Sequence, residues 1–149
     1  MSKLQIRPVS AADHAAWLPL WQGYQRFYNA DIAPEVSALT WQRFLDSAEP
    51  MFAALAWQDG MAVGLVHWIF HRSCWTVSDY CYLQDLYVAE TVRGGGVGRA
   101  LLEQVYAAAQ AYGANRVHWL TQEDNTQARQ LYARIASRSG FIQYRQLFS

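Results

Sequence analysis

The chain has 149 residues and a formal net charge of zero at pH 7, from 12 basic and 12 acidic side chains. A chain of this length can bury one hydrophobic core, so we expect a single domain over residues 1–149. The balanced charge lacks the basic excess of nucleic-acid binders and excludes nucleic acid as a partner. No apolar run approaches the roughly 18 residues of a membrane span, and the N terminus has no apolar signal core, so we expect a cytoplasmic protein without a membrane partner.

The cysteine and aromatic content further limits which kinds of site the chain can form. Cys74 and Cys81 are the only cysteines, too few for a disulfide framework or a zinc ligand set, so we expect reduced thiols and no metal site. Aromatic residues make up 15 % of the chain, more than a core of this size needs for packing. Some of these side chains are therefore expected to line a pocket.

The first half of the chain predicts a strand, two helices and a hairpin. Residues 4–8 alternate as a strand does, and the Ser10-x-x-Asp13 pattern starts a helix over 11–28, which Pro19 should bend or delay. A second helix is predicted at 37–46. The Asp59–Gly60 pair predicts a tight turn between strands 52–57 and 61–70.

The second half alternates strands and helices. We predict a strand at 80–89, an amphipathic helix at 98–112 ending at Gly113, a strand at 116–121, a helix at 125–137 and a final alternating strand at 141–148. The order β-α-α-β-β-β-α-β-α-β indicates an α+β (mixed α/β) fold with helices packed on the faces of one sheet.

A glycine-rich turn lies directly between a strand and a helix, where backbone amides and the helix dipole converge on an anion. Three consecutive glycines let the backbone approach a ligand, at an entropic cost that an ordinary turn would avoid. A dinucleotide fingerprint would need glycine where Arg99 stands, and no Gly-Lys-Ser/Thr follows for a nucleotide P-loop. The turn therefore predicts a different phosphate ligand, and it comprises Arg93, Gly94, Gly95, Gly96, Val97, Gly98 and Arg99.

Two motifs in register resemble the GCN5-related N-acetyltransferase (GNAT) superfamily. The first is Arg93-x-x-Gly96-x-Gly98 after Leu86-Tyr87-Val88, and the second is Asn125-x-x-Ala128-x-x-Leu131-Tyr132 followed by Gly140-Phe141. The resemblance implies a mostly antiparallel sheet of about six strands with a splayed pair, and acetyl-CoA as the acetyl donor. It also implies coenzyme contacts from Leu86, Tyr87, Val88, the turn residues 93–99 and Asn125.

Acetyl transfer to an amine needs an acid and a base. By resemblance, Tyr132 is the acid that protonates the coenzyme sulfur, although it could simply pack on the sheet. Residues 82–88 resemble diamine acetyltransferases, but Gln84 replaces a glutamate and cannot act as a base. Asp85 is then the candidate base or ammonium anchor, with a structural carboxylate or a water relay as alternatives. Strict alternation would turn residues 84 and 85 to opposite faces. His67 and His71 share a face and are further candidates that are more often structural.

The acceptor site is predicted from aromatic residues of the first two helices, which border the acceptor in this superfamily. The candidate substrate-binding residues are Trp21, Tyr24, Tyr28 and Gln84, because aromatic faces can hold a cation; core packing is the alternative reading, and it applies also to Trp17 and Trp41. The stretches His118-Trp-Leu-Thr and Phe141-Ile-Gln-Tyr144 resemble a fungal subgroup that acetylates histones, polyamines or D-amino acids.

These residues together predict an acetyl-CoA-dependent N-acetyltransferase that acts on a primary amine of a small molecule such as a polyamine or an amino acid. The alternatives are a protein acetyltransferase acting on lysine or N-terminal amines, and an inactive acyl-CoA-binding regulatory module. The final strand could also pair across a two-fold axis, so a homodimer is expected.

Overall fold

The structure, a computed structural model, describes residues 3–148 and divides into two compact units, Met1–Trp119 and Leu120–Ser149. The first unit contains a five-stranded sheet in the order β1-β2-β3-β4-β5. Neighbouring strands are antiparallel except for the parallel pair β4 and β5. The strands are β1 (Leu4–Pro8), β2 (Met51–Gln58), β3 (Met61–His71), β4 (Tyr80–Val88) and β5 (Arg116–His118).

Three helices in the first unit cover the sheet: α1 (His14–Phe27), α2 (Pro34–Leu45) and α3 (Val97–Tyr112). Leu65 of β3 packs in a buried cluster with tryptophans of α1 and α2. A Cβ atom added to the preceding residue, Gly64, would lie 3.1 Å from Leu101 of α3. Because successive strand residues point to opposite faces, α1 and α2 cover one face and α3 the other, which confirms the predicted α+β layers.

The backbone conformation of the β2–β3 turn agrees with the one predicted from its Asp59–Gly60 sequence. Asp59 and Gly60 both have positive φ, at 54° and 75°, as a two-residue turn compatible with the twist of a hairpin requires. In α1, Pro19 lies inside the helix without ending it; the helix follows a short 3-10 turn at Ala11–Asp13. The second helix begins at Pro34, three residues before the predicted start, because proline is pre-organised for a first helical position.

The second unit contains α4 (Thr126–Ile135). The prediction of a final strand at 141–148 is wrong: these residues form neither helix nor strand. Their apolar side chains are largely exposed, including Phe141 at 83 % and Phe148 at 91 %. Alternation supplies one apolar face but no hydrogen-bonding partner, so the sheet has five strands in place of about six. The strand predicted at 116–121 likewise ends early, at His118.

Two further observations bear on the expectations from composition. None of the helices within residues 3–148 combines the length and apolar character needed to cross a bilayer. Within the same residues, no cluster of three or more potential metal ligands is found. Cys74 and Cys81 are both free thiols, and burial raises the pKa of the Cys81 thiol to about 12.

Candidate active site

The candidate site lies where β4 extends beyond the end of its parallel neighbour, β5. The β4–β5 ladder consists of Tyr80–Arg116, Cys81–Val117 and Tyr82–His118, whereas β4 continues to Val88. Among the described residues, no strand pairs with this side of β4 beyond Tyr82. The N–H and C=O groups along this edge can therefore bind the backbone-like amides of an extended ligand. This is the strand divergence that the resemblance implied.

A β-bulge determines which way the acidic residue of β4 faces. Asp85 pairs with His67 and Leu83 pairs with Trp68, so Gln84 is an extra residue without a partner in β3. The bulge interrupts the two-residue period, so Leu83 and Asp85 lie on opposite faces of the sheet although they are two residues apart. The pairing places Tyr82 and Asp85 on the face that carries His67, which is the face covered by α1 and α2.

Asp85 is a buried carboxylate held by a histidine. It is 8 % exposed, and its Oδ2 lies 2.9 Å from His67 Nδ1. Hydrogen bonding to the same carboxylate is one cause of the raised pKa of Tyr24. A carboxylate offers about four acceptor positions, so these partners leave acceptor capacity for a ligand amine.

Three tyrosines surround this carboxylate. Burial, with the negative charge of Asp85 as a second cause, raises the pKa of Tyr24, Tyr28 and Tyr82. The rings of Tyr24 and Tyr28 lie 4.9 Å apart between centroids. Their phenols therefore stay protonated at neutral pH, and the arrangement is a carboxylate set among neutral aromatic hydroxyls, which suits a cationic amine.

Some aromatic residues of α1 and α2 pack in the core, and others lie near Asp85 in the candidate site. Trp21 is 6 % exposed, donates its indole N–H to Ser37 Oγ at 3.0 Å, and stacks on Tyr24 at 5.4 Å between centroids. Trp17 and Trp41 are also buried in the core. Of the helix residues predicted to bind substrate, Tyr24 and Tyr28 approach Asp85, while Trp21 supports Tyr24 from behind. Gln84, the fourth candidate, is exposed at the bulge.

The glycine turn has the geometry of an anion cradle. Gly94 and Gly96 have φ of 88° and 85°, a region that favours glycine. A Cβ atom at either position would meet nothing within 4 Å, so backbone conformation and not crowding requires these glycines. Gly96 is the N-cap residue of α3, and no side chain caps the helix. The first amides of α3, from Val97 onward, are thus available to an anion.

The two arginines of the turn have protein partners. Arg93 Nε donates to the Val88 carbonyl oxygen at 3.0 Å, and its guanidinium lies over the rings of Phe27 and Tyr87. Arg99 Nε donates to Glu103 Oε1 at 3.0 Å. Arg93 therefore ties the turn to the end of β4, and both side chains keep positive charge beside the α3 amides.

Two predicted residues lie in the second unit. Asn125 is the N-cap residue of α4, and its side chain accepts from the Ala128 N–H at 3.5 Å. Tyr132 lies two turns further along the same helix and is partly buried. Their predicted contacts with the coenzyme remain predictions.

Sequence reasoning underrated His67 and did not single out Tyr82 as a site residue. His67 pairs with Asp85 across the β3–β4 ladder, a contact that only the register reveals. His71, four residues further along β3, lies outside this site, with its Nε2 3.4 Å from His118 Nε2. The alternation of β3 indicated which residues share a face with His67. The β-bulge in β4 prevented the pairing of His67 with Asp85 from being predicted.

Comparison with known proteins identifies the family to which the chain is similar. A model described as the acetyltransferase (GNAT) family matches residues 17–136. The D-amino-acid N-acetyltransferase HPA3 of Saccharomyces cerevisiae is 35 % identical over 145 residues, covering 96 % of this chain and 90 % of that protein.

Solved structures share the fold. One described as a probable acetyltransferase has a TM-score of 0.86 and 26 % identity, covering 97 % of this chain and 98 % of its own. An aminoglycoside N-acetyltransferase in complex with CoA has a TM-score of 0.79 at 19 % identity, covering 98 % of this chain and 96 % of its own.

Proposed function

This chain belongs to the acetyltransferase (GNAT) family, and we propose that it transfers the acetyl group of acetyl-CoA to a primary amine of a small molecule such as a polyamine or an amino acid. The observation that most directly supports the proposal is the Asp85 carboxylate. It is buried near tyrosines, on the part of β4 that extends beyond β5. Such amines are ammonium ions at neutral pH, and a carboxylate with aromatic faces binds them.

The donor side of the proposal rests on the glycine turn and the open edge of β4. When bound, acetyl-CoA supplies the acetyl group as a thioester. The uncapped amides at the start of α3 suit its pyrophosphate, and the β4 edge suits its extended amide-bearing arm. The residues proposed to hold it are Leu86, Tyr87, Val88, Arg93, Gly94, Gly95, Gly96, Val97, Gly98, Arg99 and Asn125.

The acceptor must lose protons for the new bond to form. A lysine-like ammonium has a pKa near 10.4, so its neutral form costs about 4.6 kcal/mol at pH 7. Asp85 is proposed to take one of its three nitrogen protons and pass it to solvent. As the N–C bond forms and the C–S bond breaks, Tyr132 is proposed to give its hydroxyl proton to the departing sulfur, and the second nitrogen proton passes through solvent to restore that hydroxyl. The third remains on the amide nitrogen.

The acceptor class is tested by measuring release of free thiol with a panel of amines. The panel contains D- and L-amino acids, diamines, polyamines, and peptides that present a lysine or an N-terminal amine. We expect turnover with small amines, and D-amino acids come first because the yeast relative carries that activity in its name. Turnover with peptides alone would favour the protein acetyltransferase, and coenzyme binding without thiol release would favour the regulatory module.

The role of Asp85 is tested by Asp85→Asn. This change keeps the size and one acceptor oxygen but removes the charge, so we expect kcat/KM for the amine to fall by about 10²-fold or more. Asp59→Asn is the matched control, since asparagine also suits the first position of the hairpin turn. An unchanged rate for Asp85→Asn would overturn its assignment as base or ammonium anchor.

The assembly and location of the protein are proposed from sequence expectations. We propose a homodimer in which the exposed apolar segment 141–148 contributes to the contact between two copies. A cytoplasmic location, the expectation from the sequence, is likewise proposed.

A further inference from the structure

Behind Asp85, a chain of hydrogen bonds runs into the core of the first unit. The indole Nε1 of Trp17 lies 3.0 Å from His67 Nε2, and His67 Nδ1 lies 2.9 Å from Asp85 Oδ2. Trp17 is 0 % and His67 2 % exposed. The imidazole is therefore held between one donor and one carboxylate, out of contact with bulk water.

The chemistry of Trp17 determines the tautomer of His67. An indole N–H can only donate, so His67 Nε2 must accept with its lone pair. The ring proton of neutral His67 then resides on Nδ1, from which it is donated to Asp85 Oδ2. A ring proton on Nε2 would face the indole N–H, donor against donor, so this geometry selects the Nδ1–H tautomer over the Nε2–H tautomer.

The same geometry prevents His67 from relaying protons itself. A relay through imidazole needs both nitrogens to exchange protons with neighbours. Here Nε2 faces a group that cannot accept a proton, and Trp17 and His67 are both buried. His67 can therefore orient Asp85, but it cannot carry the amine proton onward.

The other groups that face Asp85 are phenols. Tyr24 and Tyr28 of α1 and Tyr82 of β4 all sense its charge. His67 contacts the carboxylate from the sheet, and Tyr24 interacts with it from the helix side. The contact with His67 orients the carboxylate and leaves its remaining lone pairs for the amine.

We propose that Trp17 and His67 are positioning residues for acetyl transfer: the indole N–H holds His67 as its Nδ1–H tautomer, which in turn orients the ionised Asp85 carboxylate toward the acceptor amine. This inference rests on the proposed role of Asp85. It adds two residues to the reaction that touch neither coenzyme nor acceptor.

The tautomer is tested without turnover, by nitrogen-15 NMR of the imidazole side chains at pH 7. We expect the His67 proton on Nδ1 in the wild-type chain. In Trp17→Phe, which keeps an aromatic ring but has no N–H, we expect a changed nitrogen-15 shift of Nε2, because the indole no longer donates to that nitrogen while Asp85 still accepts from Nδ1–H. A proton found on Nε2 in the wild type would overturn the proposal.

The positioning role is tested by kinetics of His67→Leu and His67→Asn. We expect His67→Leu to lower kcat by about tenfold or more, with the KM for acetyl-CoA changed less than about twofold. His67→Asn should restore most of kcat, because its amide N–H can take the place of Nδ1–H. His71→Leu, on the same strand outside the site, is the matched control.

The outcomes separate this inference from the proposed function. If Asp85→Asn loses activity while His67→Leu keeps it, the positioning role is overturned and the role of Asp85 stands. If His67→Asn and His67→Leu lose activity equally, at matched thermal stability, donation to Asp85 is not what His67 supplies and the proposal also fails. An active Asp85→Asn would instead overturn the proposed role of Asp85 and this inference with it, whereas a wild-type chain that releases no thiol with any amine would overturn the proposed function.

Discussion

Tyr24 links the helix layer to the carboxylate of the sheet, because interaction with Asp85 contributes to its raised pKa while its ring stacks on Trp21. Its pKa, like that of Tyr28 and Tyr82, is raised by burial and by the nearby carboxylate. A raised pKa in the folded state means that the folded chain keeps phenolic protons which the unfolded chain has lost. The stability from these groups is complete below about pH 10 and is lost as pH rises further.

We therefore predict that the free energy of unfolding falls between about pH 10 and pH 11, and falls less steeply in Tyr24→Phe, which has no proton to lose. Urea unfolding at a series of pH values measures this slope. Tyr144→Phe, at a residue 88 % exposed, should keep the wild-type slope. Equal slopes for Tyr24→Phe and the wild type would contradict the prediction.

Tyr132 is the proposed acid. We predict that Tyr132→Phe lowers kcat by about 10²-fold and leaves the affinity for acetyl-CoA nearly unchanged, since only the hydroxyl is removed. Steady-state kinetics together with calorimetric titration of the coenzyme separate the two quantities. Tyr144→Phe again serves as the control, and an unaltered kcat in Tyr132→Phe would refute the assignment.

At the scale of elements, α3 offers a matched pair of glycines. Gly96 precedes the helix and Gly113 follows it, both with φ near the left-handed region, at 85° and 92°, and both with open space around a Cβ atom. A non-glycine residue costs about 1–2 kcal/mol in this conformation. The strain of substitution is therefore similar at the two ends, whereas only Gly96 lies at the proposed phosphate site.

We predict that Gly96→Asp abolishes binding of acetyl-CoA, because it adds a negative charge where the pyrophosphate is proposed to lie. Gly113→Asp should destabilise the chain to a comparable degree and still bind. Isothermal calorimetry with thermal denaturation provides both readouts. Micromolar binding retained by Gly96→Asp would show that the turn does not hold phosphate.

The helices, strands and turns differ in how well their local amino-acid sequences predicted them. Asp59–Gly60 required a hairpin turn, and the stripe of Leu101, Leu102 and Val105 required a helix with one buried face, because both are local properties of the backbone. The bulge at Gln84 was not predictable, since it depends on how β3 and β4 align. The strand predicted at 141–148 was wrong because alternation alone does not supply a neighbouring strand.

At the scale of the whole molecule, the exposed segment 141–148 bears on assembly. Its side chains include Phe141, Ile142, Tyr144, Leu147 and Phe148, each at least 71 % exposed. Apolar side chains gathered in one exposed segment favour a contact with another surface. We propose that this surface belongs to a second copy of the chain.

We predict a mass of twice the chain in light scattering at micromolar concentration, and a dissociation constant raised by about tenfold or more in Ile142→Asp. Val77→Asp, at a fully exposed residue of the β3–β4 loop, is the control for a surface apolar-to-acid change. A wild-type chain that stays monomeric at every concentration would refute the dimer. The single domain predicted over residues 1–149 also stays a prediction.

The sequence by itself determined the family and most elements and predicted acetyl-CoA as the donor, because Arg93-x-x-Gly96-x-Gly98 is a local requirement for backbone conformation and exposed amides. Only the tertiary structure decided which face Asp85 presents and what surrounds it. That environment depends on a bulge between β3 and β4 and on α1 lying across the sheet, which bring together residues as distant in sequence as Trp17, His67 and Asp85. Contacts of this kind arise from register and packing, which no local pattern of residues encodes.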